Sequence, residues 1–224
     1  MKAKHNQGGQ RLFPESEWVS PGRIQGTDAT VLRAPIMEEA FRRVCNQHQQ
    51  KSDVAVLALC TSKRPYSESV EWKAILETTR GHADHIVTSN GGVIPIEFER
   101  EYPFMTYDAH GTSEFDTMYI DILSKRLTTF FRLFEYRKVV GFFSPLRRNR
   151  KALQRACLAV GVPLVFVPDD TLWEILNLPT KSKVGRRTAI IRSEKSQNHF
   201  MHQMSHPSIL KALRREVQPN EVTT

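Results

Sequence analysis

The segment Val54–Trp72, VAVLALCTSKRPYSESVEW, determines the fold predicted for this chain. Its first six residues are apolar and partly β-branched, a composition typical of a strand that is covered on both faces of a parallel sheet. The run ends at Cys60, and a polar loop then leads into a helix that begins near Ser67 or Ser69. In open α/β sheets, ligands bind beyond the carboxyl ends of such strands. We therefore expect a central strand here, followed by a functional loop.

Apolar runs and helical periodicities alternate along the rest of the chain. Short apolar runs predict strands at residues 85–88, 93–96, 138–144 and 162–167. Apolar residues at helical spacing predict helices at residues 35–44, 70–81, 116–134, 147–161 and 169–176. Such alternation predicts an α/β fold with an open, mostly parallel, doubly wound sheet and helices on both faces.

Three regions are predicted along the 224 residues. Residues 1–33 are rich in glycine, proline and polar side chains, which predicts a loosely ordered, flexible arm. Residues 34–179 carry the alternating pattern and form the α/β domain. Residues 180–224 are predicted to be a basic C-terminal extension, with nine Lys or Arg residues against three Glu residues.

Positive charge predicts a polyanionic partner. The chain has 32 Lys and Arg against 24 Asp and Glu, a net charge of +8, and its pI is near 9.6. The basic extension contacts phosphates or, alternatively, is a solvated tail. Eight residues are candidates for nucleic-acid contact: Arg147, Arg148, Arg150, Lys151, Lys181, Lys183, Arg186 and Arg187.

Other classes of protein fit the sequence less well. No apolar run approaches the roughly 20 residues of a transmembrane helix, and residues 1–10 lack the apolar region of a signal peptide. We therefore expect a cytoplasmic protein without a membrane partner. Its three cysteines are too widely spaced for a disulfide framework or a CxxC metal site. Its eight histidines lack partners at ligand spacing, so no metal and no cofactor are expected.

Cys60 is the candidate nucleophile. It follows the central strand, precedes a helix, and lies near Lys63 and Arg64 in the sequence. Positive neighbours and helix N-termini lower the pKa of a thiol and favour the reactive thiolate. The alternative is a buried structural cysteine. Glu97 and Asp108 are candidate catalytic acids or bases because they lie in the loop region that follows the next strands.

Six residues are candidates for substrate binding: Arg64, Tyr66, Ser69, Ser89, Asn90 and Tyr107. The arginine suits a forked contact with phosphate or carboxylate, and the tyrosines suit hydrogen bonding or stacking on a base. Each also has a structural alternative. Ser69 could cap a helix, the tyrosines could pack in the core, and residues 89–92, SNGG, could form a plain hairpin turn instead of bringing backbone N–H groups to a ligand.

Two motifs resemble the archaeosine synthase family, whose members are paralogues of archaeal tRNA-guanine transglycosylase. Residues 60–72, CTSKRPYSESVEW, resemble the signature Pro-Cys-x3-Lys-Pro-Tyr-x2-Ser-x2-His. Residues 85–108, HIVTSNGGVIPIEFEREYPFMTYD, are similar to that family's strand, glycine-containing turn, Pro-x-Glu, Tyr-Pro pair and Tyr-Asp. The resemblance covers roughly residues 53–161, about half of the chain.

The resemblance implies modification of 7-cyano-7-deazaguanine in tRNA, in which an amine donor such as lysine adds to the nitrile. Cys60 would attack the nitrile carbon to give a thioimide, which the amine would displace. Arg64, Tyr66 and Ser69 would position the base, phosphate or amine, and Glu97 or Asp108 would bind the amine or move its proton.

This sequence departs from the family at three positions. Leu59 stands in place of the family's proline, Arg64 in place of its lysine, and Trp72 in place of its histidine. The family's other regions have no counterpart here. Whether the substrate is tRNA, DNA or a free base, and whether a partner subunit is needed, therefore stays open. Two further readings are a catalytically silent nucleic-acid-binding module and a nucleic-acid hydrolase or glycosylase that uses its carboxylates.

Overall fold

The structure, a computed structural model, describes residues 24–110, 117–145, 147–178 and 204–218. In chain order the elements are β1 (Ile24–Thr27), α1 (Asp28–Leu32), α2 (Pro35–Gln47), β2 (Val54–Leu59), α3 (Val70–Thr78), β3 (Asp84–Ser89), β4 (Gly92–Pro95), β5 (Tyr107–His110), α4 (Thr117–Leu133), β6 (Lys138–Phe142), α5 (Arg148–Val160), β7 (Leu164–Val167), α6 (Asp170–Ile175) and α7 (Pro207–Val217). One-turn 3-10 helices occupy Tyr66–Glu68 and Ile96–Phe98.

Five strands form the main sheet in the order β4-β3-β2-β6-β7. Four of them are parallel, and β4 joins one edge antiparallel to β3. The prediction of an open, mostly parallel sheet with helices around it is confirmed. The strand at Val54–Leu59 is central, as expected from its apolar sequence, and its first five residues are at most 2% exposed.

The strand order reverses direction at β2. The chain passes from β2 to β3 on one side, and later returns to β6 and β7 on the other side. The connections that leave the carboxyl ends of β2 and β6 therefore diverge, which leaves a crevice between them. This crevice is where the fold creates room for a ligand.

Regular structure begins earlier than the expected domain start at residue 34. Strand β1 pairs in parallel with β5 to form a separate two-stranded sheet, and α1 follows directly. Thr27 caps α1 by accepting a hydrogen bond from the Thr30 backbone N–H. Residues 24–33 thus have regular structure, contrary to the expectation of a loose arm, and residues 1–23 of that arm lie outside the described residues.

Part of the predicted C-terminal extension also belongs to the fold. Helix α7 packs against α3, β6 and β7, and buries Ile209, Leu213 and Val217. The Lys138 ammonium group donates a hydrogen bond of 2.9 Å to the Glu216 backbone carbonyl. None of the helices in the described residues is long and apolar enough to cross a membrane.

Candidate active site at the carboxyl edge of the sheet

A cavity of about 330 Å³ lies at the carboxyl ends of β2, β3 and β6. We call it the Cys60 cavity. The three strand ends supply Cys60, Ser89 and Ser144 to its lining. Its volume falls at the lower end of the range for small-molecule sites, about 300–1,000 Å³. The cavity is therefore large enough for a small-molecule ligand.

The Cys60 side chain is half-buried and lines the cavity. Its backbone N–H donates to the Thr88 carbonyl at 3.2 Å, which fixes the residue at the edge of β3. Burial raises the pKa of the Cys60 thiol above its ordinary value, although Arg64, Arg147 and a hydrogen bond from the Asn90 backbone N–H act to lower that pKa. At neutral pH the Cys60 side chain is therefore a protonated thiol, and it lies near groups that would stabilise its thiolate form.

A buried ion pair lines the same cavity. Asp28 is 1% exposed and forms an ion pair with Arg148, the first residue of α5. The same guanidinium Nη2 donates to the Asn90 amide oxygen at 3.3 Å. The guanidinium carbon lies 3.6 Å from the centre of the Tyr119 ring, a cation–π contact. The Arg148 side chain is therefore held on three sides.

Asn149 fixes the neighbouring wall of the cavity. Its side-chain amide donates to the Thr88 hydroxyl at 3.3 Å and to the Tyr119 hydroxyl at 3.2 Å. The Thr88 hydroxyl in turn donates to the Ala58 carbonyl at 3.2 Å. These buried bonds join α5 and α4 to the ends of β3 and β2, so the cavity is built from rigid elements.

Residues 38–171, more than half of the chain, match the family model described as Domain of unknown function (DUF5591). The chain belongs to this family. All of the cavity residues named above except Asp28 lie within the DUF5591 match.

The chain is also similar to one curated protein and to one solved structure. Archaeosine synthase of Haloferax volcanii is 27% identical over 105 residues, which is 46% of this chain and 18% of that protein. The crystal structure of AF0587, a protein of unknown function, is similar with a TM-score of 0.56 and 17% identity. That similarity covers 80% of this chain and 50% of the AF0587 chain, and it shows the fold alone. The chain thus spans about a fifth of the curated relative and half of the solved one.

Four of the predicted substrate-binding residues form a network at and beside the Cys60 cavity. Arg64 donates to the Tyr107 carbonyl at 2.6 Å and stacks 3.9 Å from the centre of the Tyr107 ring. The hydroxyls of Tyr66 and Tyr107 lie 2.7 Å apart, and Tyr107 donates to the Ser89 hydroxyl at 2.9 Å. Of these four residues only Ser89 is in the cavity lining. The other three support the turn that begins at Ser89.

That turn places Ser89 and Asn90 in the lining of the Cys60 cavity. It closes the antiparallel hairpin of β3 and β4, and the Ser89 hydroxyl accepts the Gly91 backbone N–H at 2.8 Å. Gly92 has φ +109°, which a residue with a Cβ rarely adopts. The turn is therefore a hairpin turn that also brings the Asn90 backbone N–H to the Cys60 sulfur.

Ser69 and Trp72 hold the start of α3. The Ser69 hydroxyl accepts the Trp72 backbone N–H at 3.2 Å, so this serine is the helix cap. Trp72 is fully buried, and its indole N–H donates to the Leu59 carbonyl at 2.9 Å. Trp72 lines the cavity, whereas Ser69 does not.

The two predicted catalytic carboxylates are not brought to the cavity. Glu97 lies 2.6 Å from the ring nitrogen Nδ1 of His48. Although partial burial acts to raise the pKa of Glu97, the hydrogen bond with His48 lowers it below its ordinary value. Asp108 lies on β5, opposite Gln25 of β1. Neither carboxylate is part of the cavity lining, so both stay predictions as catalytic residues.

The basic residues that start α5 lie beside a second, wider groove of about 660 Å³. Arg147 and Lys151 are exposed there. Arg150 donates to Asp170 at 2.8 Å and stacks 4.3 Å from the centre of the Phe166 ring. Four more predicted contacts lie outside the described residues: Lys181, Lys183, Arg186 and Arg187.

The cavity residues that were not predicted from the sequence include Ser144, Tyr119 and Asp28. Ser144 follows β6, so the rule that ligands bind beyond strand ends could have found it. Tyr119 was predicted only as part of a helix. No sequence pattern indicated Asp28 as a site residue, because it lies in a stretch whose glycine and proline content favoured a loose arm.

Proposed function

We propose that this chain modifies a nitrile-bearing 7-deazaguanine base in nucleic acid, with Cys60 as the nucleophile and a small amine as the second substrate. The observation that carries the proposal is that Cys60 lines a cavity at the carboxyl edge of the sheet. The archaeosine synthase relative supports the substrate class. The net charge of +8 supports a nucleic-acid partner, either tRNA or DNA.

The chemistry balances without a cofactor. The Cys60 sulfur forms a bond to the nitrile carbon, and the thiol proton goes to the nitrile nitrogen, which gives a thioimide. The amine nitrogen then bonds to the same carbon, the C–S bond breaks, and the sulfur regains a proton. An amidine product and a free thiol result. A protonated resting thiol suits the first step, because the nitrogen needs that proton.

The residues around the thiol would act during the attack. Burial raises the pKa of Cys60, but Arg64, Arg147 and the Asn90 backbone N–H act against that effect, which means that they stabilise the developing thiolate. A base within a nucleic acid must leave its stack to enter a cavity of this kind. The exposed Arg147 and Lys151 would contact the phosphates that flank such a base.

Intact-protein mass spectrometry after incubation with free 7-cyano-7-deazaguanine tests the covalent step. We expect the protein mass to increase by the mass of the whole base, because the addition releases no atom. The Cys60→Ala variant should show no increase. Cys45→Ala is the matched control, since this half-buried cysteine lies on α2 outside the cavity and its loss should leave the adduct unchanged.

Mass spectrometry of tRNA and DNA nucleosides from cells with and without the gene tests the substrate. A deazaguanine species should appear or disappear with the gene, and lysine can then be tested as the amine. No adduct and no change in nucleosides would contradict the proposal and favour a silent binding module. Loss of activity in Glu97→Gln or Asp108→Asn, with Cys60 dispensable, would favour a hydrolase or glycosylase.

A further inference from the structure

Three buried polar atoms in residues that line the Cys60 cavity have no hydrogen-bond partner. They are the carboxylate oxygen Oδ1 of Asp28, the guanidinium nitrogen Nη1 of Arg148 and the hydroxyl oxygen of Ser144. Buried polar groups are nearly always paired, because an unpaired one loses its bonds to water without replacement. Because the three atoms are buried, a ligand in the cavity reaches them only after a small shift of the side chains around them, and a ligand that then pairs them would be bound favourably.

The atoms of the ion pair offer one acceptor and one donor in fixed positions. The Asp28 carboxylate is anchored through Oδ2 to Arg148 Nη2, and so its other oxygen is oriented. The guanidinium is fixed by Asn90 and by the Tyr119 ring. A matching ligand must present a donor next to an acceptor, and it need carry no net charge because Asp28 and Arg148 neutralise each other.

The other walls of the cavity favour a flat ring. Four aromatic side chains contribute to its lining: Trp72, Tyr119, Phe142 and Phe143. Aromatic and apolar walls suit a planar heterocycle, whereas a flexible zwitterionic amino acid would bury its chain against them with less complementarity. Cys60 is near enough to Asp28 for the carboxylate to act on the thiol electrostatically.

We infer that Asp28 and Arg148 are the residues that select a guanine-type base. This inference rests on the proposed function. Asp28 Oδ1 accepts from the N1–H and 2-amino groups of the base, and Arg148 Nη1 donates to its O6. An adenine-type base presents a ring acceptor to the carboxylate and an amino donor to the guanidinium. Both contacts would be repulsive, so the pair rejects adenine as well as binding guanine.

The substitution Asp28→Asn tests the inference sharply. Arg148 donates to residue 28 and would hold the amide oxygen, so the amide NH2 would replace the free acceptor with a donor. Asp170→Asn is the matched control, because Asp170 also pairs with an arginine, Arg150, but outside the Cys60 cavity. Both changes are made in the Cys60→Ala background, where calorimetry measures binding without a covalent step.

The probes are 7-cyano-7-deazaguanine, the analogue without the 2-amino group, and 7-cyano-7-deazaadenine. The protein with Asp28 should bind the first at least about tenfold more tightly than the others, the effect of one charge-assisted hydrogen bond. Asp28→Asn should reduce this preference about tenfold, and Asp170→Asn should retain it. The comparison of the three bases needs no substitution at Asp28, and so it does not depend on whether that variant folds.

Equal binding of the three bases would overturn the inference. So would competition by free lysine that requires Asp28, since the pair would then hold the amine donor. The two proposals fail separately. If the protein prefers the guanine-type base but forms no Cys60 adduct, Asp28 and Arg148 select the base and Cys60 is not the nucleophile. If an adduct forms equally with all three bases, Cys60 is the nucleophile and the pair does not select the base.

Discussion

The thiol of Cys60 is under opposing influences that the sequence shows only in part. Lys63 and Arg64 follow it in the chain, and that proximity predicted a lowered thiol pKa. In the structure, burial outweighs the positive charges and raises the pKa above its ordinary value. Arg64 bonds to the Tyr107 carbonyl instead of facing the cavity. Sequence proximity shows the charges that lower the pKa of Cys60 but not the desolvation that raises it, so the sequence could not separate an activated thiol from a buried one.

The pH dependence of alkylation should follow from that shift. Iodoacetamide reacts with the thiolate, so labelling of Cys60 should still be accelerating at pH 9. Arg147→Gln removes a charge that lowers the pKa of Cys60, and it should slow labelling at pH 8 by about twofold, a small effect because Arg147 is exposed. Peptide mass spectrometry separates Cys60 from Cys45, whose pKa burial raises to about 11.

Lys151→Gln is the control for this experiment. It removes the same charge from the same end of α5, but Lys151 is not among the groups that shift the pKa of Cys60. The pH profile of Cys60 labelling in the Lys151→Gln variant should match that in the protein without substitutions. A labelling rate that levels off below pH 8 would show that the thiol is ionised at rest and would contradict the raised pKa.

At the scale of elements, apolar runs predicted strands reliably, whereas short segments of mixed polarity were not recognised as strands. The five strands of the main sheet follow apolar runs, which bury both faces in a parallel sheet. β1 and β5 read IQGT and YDAH, four residues each with mixed polarity, and neither was predicted. These two strands form by pairing with each other across a long stretch of the chain, and a local sequence pattern cannot reveal such pairing.

The start of α3 allows a test of whether Ser69 is structural. Ser69→Ala removes the hydroxyl that accepts the Trp72 N–H, and should lower the free energy of unfolding by about 1 kcal/mol. Ser69→Thr keeps the acceptor and should recover most of that loss. Urea denaturation measures both changes.

Lys73→Ala is the control on the same helix, because Lys73 is exposed and its substitution should change stability by no more than about 0.5 kcal/mol. If Ser69→Ala weakens base binding at unchanged stability, the hydroxyl contacts substrate, as the resemblance to archaeosine synthase implied, and the capping role is secondary.

At the scale of the whole molecule, the charge predicts how nucleic acid is bound. Arg147 and Lys151 lie where the groove of about 660 Å³ meets the start of α5. Phosphate contacts release counterions, so the affinity for tRNA or single-stranded DNA should fall steeply as salt increases. The net charge was evident from composition, but the position of these side chains beside the Cys60 cavity required the fold.

Lys151→Gln should weaken binding of both nucleic acids and lower the slope of log affinity against log salt by about 1. Filter binding at several salt concentrations measures that slope. Lys125→Gln on α4 removes an equal charge away from both cavities and should leave the slope unchanged. If Lys151→Gln and Lys125→Gln lowered the slope equally, the affinity would depend on the overall charge of the protein and nucleic acid would not bind at a defined surface.

Met204, which follows residues 179–203 in the sequence, contributes to the lining of the Cys60 cavity, and α7 comes directly after it in the chain. Truncation after residue 178 would thus delete one wall of the pocket together with the helix that covers β6 and β7. A chain that ends at residue 178 should therefore lose base binding even though every DUF5591 residue remains.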